Sequence, residues 1–377
     1  MVYLFWLSVG FITYTFGGYP LVLWLVAVIR GRPHSKAPAR PTISVIIPAH
    51  NEEKQIGQKI QNTLDLAYPP EKREILVASD GSTDGTAAVV RSYTNQGVKL
   101  IETAERKGKH FVQMLARDQS HGEVLVFTDA SITLEREALE KMASNFADPS
   151  VGSVTSEDRI LTTEAGPQGE VTFITYDKWI RRLESRVGST VGLSGSFFAA
   201  RRQVCDQWNP AQSSDFFLAL QTVAKGLRAV VDPECRGLYG LNYAERVEFR
   251  RKVRTIVHGL DVFFSYWKLL DPIRFGLYSW QLLSHKLFRW LFPFALFANL
   301  LSSLFLWDAS WLYRATALGL IGLYGCGLLA LLSERAAQIQ VLRLAGYFLL
   351  GNVATVSAWM KYCGGERYAT WNPTRRQ

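Results

Sequence analysis

Four short apolar runs, each followed by a segment with helical periodicity, constrain the fold of this 377-residue chain more than any other feature. The runs read TISVIIPAHN, REILVASD, VKLIETA and EVLVFTDAS, and they begin at residues 42, 73, 98 and 123. Their β-branched and aliphatic content is typical of strands that are buried on both faces of a parallel sheet. Strands alternating with helices predict a doubly wound α/β domain.

Two of the predicted strands end on an aspartate, Asp80 in one case and Asp129 in the other. Ligands of parallel α/β sheets bind at the carboxyl ends of the strands, so the two carboxylates are candidates for a binding site. Aspartate also favours strand ends and helix N-caps for purely structural reasons. For either residue alone, the structural interpretation is the simpler one.

Long apolar segments indicate that the chain is also a membrane protein. The segment from Val2 to Ile29 is almost uncharged and long enough to cross a bilayer, and no small-residue cleavage site marks it as a secretory signal. Arg and Lys residues cluster between positions 30 and 40, so the positive-inside rule places the next domain in the cytoplasm. Later apolar segments, Leu287 to Trp307, Leu312 to Leu332 and Leu344 to Met360, predict about three more spans.

The basic tail KYCGGERYATWNPTRRQ conflicts with that number of spans. Three spans after a cytoplasmic domain leave the tail outside, whereas Lys361, Arg367, Arg375 and Arg376 favour the cytoplasmic side. One apolar segment could therefore be re-entrant or interfacial, and the sequence leaves the topology of the tail open.

The charge and the cysteines exclude some classes of function. Much of the net charge of +9 lies beside predicted spans or between Arg246 and Arg254, where it can meet lipid headgroups or phosphates. No zinc finger, helix-turn-helix or ribonucleoprotein motif accompanies this charge, so a nucleic-acid partner is not expected. The cysteines at 205, 235, 326 and 363 lack CxxC spacing and predict free thiols.

These patterns divide the chain into six predicted regions. They are an N-terminal transmembrane helix (1–30), a linker (31–41), the α/β domain (42–248), amphipathic interfacial helices (249–284), about three transmembrane helices (285–361) and a basic tail (362–377). The amphipathic region mixes Arg and Lys with Phe, Tyr and Trp, which is typical of a helix in the membrane interface. Its periodicity fits a plain domain-packing helix equally well.

Seven motifs follow one another in a characteristic order: SVIIPAHNEE, VASDGSTDGT, RKGKH, VFTDAS, SGSFFAARR, SSDFF and RRKVRT. In this order they resemble the membrane-integrated family 2 glycosyltransferases. This group includes the hyaluronan, chitin, cellulose and poly-N-acetylglucosamine synthases and related glycolipid glycosyltransferases. The resemblance covers almost the whole chain and implies a Rossmann-like GT-A domain in the cytoplasm, joined to α-helical transmembrane segments of a bacterial inner membrane. It further implies an inverting transfer of sugar from a UDP-sugar to a polysaccharide chain or a lipid.

The resemblance also implies roles for individual residues. Asp215 would be the general base, and Ser194, Gly195 and Ser196 would form the floor of the acceptor site. The UDP-binding set would comprise Ala49, Asn51, Glu52 and Asp80 around the nucleoside, and Arg106, Lys109, Asp129, Arg251 and Arg254 around the diphosphate. Asp129 would also hold the metal cofactor, Mg²⁺ or Mn²⁺.

The sequence departs from the pattern of the family at two positions. The triplet Asp129-Ala130-Ser131 lacks the second carboxylate of the DxD motif, although a hard cation needs only one or two protein carboxylates. Thr255 replaces the Trp of the Q/R-x-x-R-W motif, which puts processive polymer extension in question. Both changes favour an alternative function, a catalytically silent scaffold subunit of a polysaccharide synthesis or export complex. The otherwise full set of catalytic residues favours the enzyme.

Overall fold

The computed structural model describes residues 1–161, 168–240 and 245–366. Its strands are β1 (Ile43–Ala49), β2 (Arg73–Asp80), β3 (Val98–Thr103), β4 (Val124–Thr128), β5 (Thr133–Leu134), β6 (Val151–Ser156), β7 (Arg159–Leu161), β8 (Phe197–Arg201), β9 (Arg228–Asp232) and β10 (Gly237–Gly240). The helices are α1 (Val2–Arg30), α2 (Glu53–Leu64), α3 (Thr86–Arg91), α4 (Lys109–Asp118), α5 (Ala138–Ser144), α6 (Gln168–Val187), α7 (Ser214–Ala224), α8 (Glu245–Ser265), α9 (Pro272–Phe275), α10 (Leu277–Phe305), α11 (Trp311–Leu332), α12 (Glu334–Ala337) and α13 (Gln340–Cys363).

Seven strands form the central sheet, in the order β3-β2-β1-β4-β8-β6-β9. As the alternating pattern predicted, β1 pairs in parallel with β2 and β4, and β2 pairs in parallel with β3. Strand β8, which lies outside the alternating pattern, is antiparallel to both β4 and β6. Because β8 begins where β4 ends, with Phe197 opposite Thr128, the loop before β8 meets the loop after β4.

The first sheet strands are apolar at successive positions because the sheet has a core on each face. Val45 and Ile47 of β1 point into one apolar cluster, whereas Ile46 points into the other, beside Phe127 of β4. Every residue of β1 and of β4 is buried. This double burial is what the near-continuous apolar runs predicted.

The segment ITLEREALEKMASNFA was expected to be one helix, and it is a short strand followed by the helix α5. Thr133 and Leu134 pair with β10 in a second, three-stranded sheet of order β5-β10-β7. Pairing with a distant strand therefore overrides the local helical pattern at its start. All four cysteines are free and lie among the described residues, as their spacing predicted.

Four helices, α1, α10, α11 and α13, are long and apolar enough to cross a membrane. Helix α10 begins at Leu277, before the expected start at Leu287, so the region predicted as interfacial contains α8, α9 and the first turns of α10. Helix α1 packs along α10 through a hydrogen bond of 2.9 Å from Asn299 to Ser8. Of the predicted tail, the residues from Arg367 onwards lie outside the described residues.

Candidate active site

A cavity of about 530 Å³ lies at the carboxyl ends of β1, β4 and β6. The rest of its wall comes from the starts of α4 and α7, from one face each of α6 and α8, from the loop before β8, and from Tyr347 of α13. Of the residues predicted to act, nine line this cavity, namely Glu52, Lys109, Asp129, Ser194, Gly195, Ser196, Asp215, Arg251 and Arg254. The fold therefore brings together side chains that are distant in sequence, at the edge of the sheet where ligands of α/β domains bind.

An ion pair between Lys109 and Asp129 forms one wall of the cavity. The Lys109 Nζ atom lies 2.6 Å from Asp129 Oδ1 and donates to the Gly195 carbonyl oxygen at 3.0 Å. The two side chains are 12% and 23% exposed, so both remain accessible from the cavity. An ammonium group can bind phosphate, and a carboxylate can hold a divalent cation, so this wall suits a metal-bound diphosphate.

A buried lysine holds the loop that carries Asp129. Lys59 of α2 donates from Nζ to Thr128 Oγ1 and to the Ile132 carbonyl oxygen, each at 2.8 Å. These two partners stand at the two ends of the turn that contains Asp129 and Ser131. Burial lowers the pKa of Lys59 to about 7, while the negative charge of Asp129 acts in the opposite direction. Sequence reasoning missed Lys59, because a lysine in an amphipathic helix ordinarily faces solvent.

Asp215 lies beside Gly195, the residue whose carbonyl oxygen accepts a hydrogen bond from Lys109. A Cβ atom added at Gly195 would lie 3.1 Å from Asp215 Oδ2, so glycine leaves this carboxylate oxygen uncovered on that side. Ser213 donates its hydroxyl to Asp215 Oδ1. Burial raises the pKa of Asp215, but the Ser213 hydrogen bond and the positive charges of nearby groups outweigh it, so the net shift is downward. The carboxylate is therefore ionised at neutral pH.

Two histidines that were not predicted lie beside Asp215. The Ser214 backbone N–H donates to His110 Nδ1 at 3.2 Å, and the rings of His110 and His258 are 6.0 Å apart. Burial, together with the charge of Lys109, lowers the pKa of His110 to about 3, so this histidine is neutral at physiological pH. A signal for His258 was present, since it follows Arg251 and Arg254 at the spacing of one helix face.

Asp158, at the end of β6, organises the predicted acceptor floor. Ser156 and Ser194 donate their hydroxyls to its carboxylate at 2.7 and 2.8 Å, Ser196 donates as well, and the Gly237 N–H contributes a bond of 3.1 Å. Burial raises the pKa of Asp158 despite these donors. Ser194 and Ser196 also hydrogen-bond to each other through their hydroxyl oxygens at 2.8 Å, so the two serines and the carboxylate form one hydrogen-bonded cluster at the predicted acceptor floor. The available signal was an acidic residue directly after a strand, the pattern already noted for Asp80 and Asp129.

Four predicted donor-site residues, Ala49, Asn51, Asp80 and Arg106, do not line the cavity. The Asp80 carboxylate is buried and accepts hydrogen bonds from the backbone N–H groups of Lys107 at 2.6 Å and Gly108 at 2.9 Å. Asn51 adopts a left-handed conformation with φ 54° and accepts a bond of 2.8 Å from the Thr83 N–H. The contacts of Asp80 and Asn51 tie together the loops that border the site, and a direct role in nucleoside binding stays a prediction.

Arg106 differs from the other three residues outside the cavity. Its Nε and Nη2 atoms are buried and have no hydrogen-bond partner among the described residues. Buried donors are normally paired, so an unpaired guanidinium nitrogen next to a site is consistent with a ligand contact. The predicted role of Arg106 at the diphosphate remains untested.

Comparison with known proteins assigns a family to this arrangement. Residues 44–208 match the family described as Glycosyl transferase family 2. The chain is 29% identical over 132 residues to glycosyltransferase AglE of Haloferax volcanii, covering 34% of this chain and 43% of that protein. It is 24% identical over 277 residues to the beta-monoglucosyldiacylglycerol synthase of Nostoc sp., covering 70% and 59%. The matched regions thus span less than two thirds of either relative.

A solved structure resembles the whole described fold. The mannosyltransferase PcManGT from Pyrobaculum calidifontis, in complex with GDP-Man and Mn²⁺, superposes with a TM-score of 0.73 and 22% identity, covering 97% of this chain and 100% of that chain. At this identity the likeness shows the fold, a Rossmann-like GT-A domain joined to apolar helices. The superposition confirms the predicted fold class, and the match over residues 44–208 shows that the chain contains a domain of the glycosyl transferase family 2, as the resemblance predicted.

Proposed function

We propose that this glycosyltransferase moves a sugar from a UDP-sugar to an acceptor at the membrane face, with inversion at the anomeric carbon. The acceptor is a polysaccharide chain or a lipid, and the α/β domain lies on the cytoplasmic side of a bacterial inner membrane. One observation carries the proposal: the carboxylate of Asp215 and the Lys109–Asp129 pair line the same cavity and both lie against Gly195. A carboxylate that can act as a base and a wall suited to a diphosphate, held around one residue of one cavity, suit the displacement of a nucleotide by an acceptor hydroxyl.

Asp215 is proposed as the general base. Its Oδ2 would take the proton from the acceptor hydroxyl while that oxygen forms a bond to the anomeric carbon. The bond from the anomeric carbon to the diphosphate oxygen breaks on the opposite face, and UDP leaves. The lowered pKa of Asp215 keeps the base ionised across the neutral range, and neutral His110 adds no competing charge beside it.

The diphosphate of the donor is proposed to be bound by positively charged side chains and a divalent cation. Arg251, Arg254 and Lys109 all line the cavity and would oppose the charge of the leaving group. The described residues contain no cluster of three or more His, Cys, Asp or Glu side chains suited to a metal. Asp129 could nevertheless hold Mg²⁺ or Mn²⁺ if diphosphate oxygens and water supplied the other ligands. When bound, such a cation supplies Lewis-acid stabilisation of the departing diphosphate.

The acceptor would lie over Ser194, Gly195 and Ser196, on the side of the cavity nearest Asp215. Relatives whose names refer to a lipid product and to a polysaccharide product support both kinds of acceptor. One relative is a beta-monoglucosyldiacylglycerol synthase, and another, 28% identical over 160 residues, is a poly-β-1,6-N-acetyl-D-glucosamine synthase of Staphylococcus aureus, covering 41% of this chain and 38% of that protein.

Product analysis with Asp215→Asn tests the proposal. Membranes containing the chain would receive labelled UDP-sugars, with GDP-mannose as a comparison donor, and Mg²⁺ or Mn²⁺. The product would be separated by size and by extraction into organic solvent. Loss of a general base should lower transfer by about 10²- to 10⁴-fold while nucleotide binding persists. The exposed Asp206 provides a matched Asp→Asn control. Near-normal turnover of Asp215→Asn would reject this base, and nucleotide binding without consumption of any donor by the unmodified chain would support the scaffold function.

A further inference from the structure

The last apolar helix, α13, is a span candidate whose contacts do not fit a crossing of the membrane. By length and composition it resembles the other candidates, and its most apolar stretch is as apolar as that of α10. Its first turns pack closely on α11, where a Cβ added at Gly327 would meet the Ala345 carbonyl oxygen at 2.7 Å and one added at Gly346 would meet Ala330 at 3.1 Å. Its other neighbours are elements at the catalytic end of the bundle.

The contacts of α13 with α10 show that the two helices cross at a steep angle. Phe348 packs on Phe292 with ring centroids 6.2 Å apart, and Trp359 packs on Phe294 at 6.4 Å. Trp359 Nε1 also donates to the Trp290 carbonyl oxygen at 3.0 Å. Phe348 and Trp359 are roughly 16 Å apart along a helix that rises 1.5 Å per residue. If α13 ran beside α10 through the bilayer, the residues of α10 that contact Phe348 and Trp359 would also be roughly 16 Å apart. Instead, Trp290, Phe292 and Phe294 all lie within little more than one turn of α10.

The contacts of α13 with α8 extend over most of its length. Lys252 donates to the Tyr347 hydroxyl at 2.9 Å near the start of the pairing, and Phe264 stacks on Tyr362 at 5.6 Å near its end. Between them, Val253 and Val257 share an apolar cluster with Ala354 and Ala358. The two helices therefore lie side by side and point in the same direction.

Helix α8 cannot follow α13 across a bilayer. Arg251, Arg254 and His258 of α8 line the cavity together with Asp215, so this helix belongs to the catalytic domain. Arg250 of α8 is exposed outside this cavity, and an exposed charge is costly in the hydrocarbon region. Since α13 runs along α8 from Tyr347 to Tyr362, both ends of this stretch lie at the level of the catalytic domain.

We propose that α13 lies along the membrane surface on the catalytic side, and that only α1, α10 and α11 cross the bilayer. Cys363 then lies on the same side as the active site, which removes the conflict raised by the basic residues of the tail. The cavity wall formed by Tyr347 faces the headgroup layer, from which a lipid acceptor would approach.

The exposed side chains around α13 fit a lipid surface as their partner. Val353 and Met360, which turn away from α8, are 46% and 71% exposed. In the segment that follows α8, Trp267 and Ile273 are 62% and 96% exposed, and the basic residue Arg274 stands next to Ile273. Exposed aromatic and aliphatic side chains beside basic ones are typical of an interfacial segment.

Labelling of the native Cys363 with a membrane-impermeant maleimide tests this topology. Cys363 is exposed, whereas Cys205 and Cys235 are buried, and the Cys326→Ala variant removes the thiol within α11. In the Cys363→Ser background, His121→Cys would report the side of the catalytic domain, and Ala309→Cys would report the opposite side, at the link between α10 and α11.

Intact spheroplasts and inverted vesicles would be labelled in parallel. We expect Cys363 to behave like His121→Cys, with labelling at background in one preparation and complete in the other. If Cys363 were instead labelled in the same preparation as Ala309→Cys, the proposal would be wrong and α13 would be a fourth span. The comparison is with the catalytic domain itself, so it does not depend on the proposed reaction, and transfer measured in the same vesicles reports on that reaction separately.

Discussion

Two strands of the sheet end on an aspartate in almost the same sequence context, and the structure uses the two carboxylates differently. Asp80 at the end of β2 is buried and accepts hydrogen bonds from the backbone N–H groups of Lys107 and Gly108. Asp129 at the end of β4 remains accessible and pairs with Lys109. The two carboxylates therefore bind three consecutive residues. Asp80 accepts from the backbone N–H groups of Lys107 and Gly108, and Asp129 pairs with the side chain of Lys109. A strand-end carboxylate is occupied by backbone N–H groups where a loop covers it, and is available to a ligand where a cavity lies open.

The largest loss of transfer activity should come from a substitution of the accessible aspartate, Asp129. Asp129→Ala removes the carboxylate proposed to hold the cation, and loss of several kcal/mol of charge stabilisation should lower transfer by about 10³-fold. Initial rates at saturating donor and Mn²⁺ would measure it, and binding of Mn²⁺ in the presence of UDP, followed by electron paramagnetic resonance, should also fall. The melting temperature should hardly change, because Asp129 faces a cavity. Asp118→Ala, at an exposed position, is the control. Near-normal rates would show that the two aspartates do not differ in function.

Substitution of the buried aspartate, Asp80, should change stability more than the rate of transfer. Asp80→Asn replaces Oδ2 with an NH₂ group that points at the Gly108 N–H, so one hydrogen bond is lost and the Lys107 and Gly108 N–H groups must share the remaining oxygen. This should cost about 1–3 kcal/mol of unfolding free energy. Because the loop then positions Lys109 less well, we expect the KM for the donor to rise more than kcat falls. Thermal melting of the solubilised full chain and donor titrations would measure both, with the exposed Asp65→Asn as control.

The outcome for Asp80→Asn also separates two functions of this residue. Lower stability with weaker donor binding would support a role in holding the loop. An unchanged melting temperature combined with lost nucleotide binding would mean that Asp80 contacts the nucleoside directly, as the family resemblance implies.

The first half of the fold was predictable from sequence because its strands are buried on both faces. Val45, Ile46 and Ile47 give an apolar run that depends on no distant partner, and parallel topology then places Asp129 at the site edge. The reversal of β8 was not predictable, because it depends on pairing between Phe197 and Thr128, which are distant in sequence. The local apolar pattern therefore predicts the edge of the sheet where the site lies. Pairing between strands that are distant in sequence determines which loops meet at that edge.

The missed site residues have the same physical explanation. Asp158 gains its importance from Ser194 and Ser196, and His110 from Ser214, which are all distant in sequence. The sequence offers no local periodicity that reports such contacts. Lys109 and Asp129 were predicted because each lies in a motif of the family resemblance, whereas their contact with each other depends on the fold.

The smallest expected effect concerns Ser131, which stands where the DxD motif has its second carboxylate. Ser131→Asp adds negative charge to the wall that already carries Asp129, and affinity for hard cations rises with the charge of the ligands. We expect the Mn²⁺ concentration for half-maximal transfer to fall by about tenfold or less, as an added oxygen ligand allows. The maximal rate should stay nearly constant, because Lys109 and Asp215 are untouched. Ser131→Asn, which matches the size without the charge, is the control. If both variants shifted the metal requirement equally, charge at this position would not limit metal binding, and the distinction between Asp80 and Asp129 would rest on burial alone.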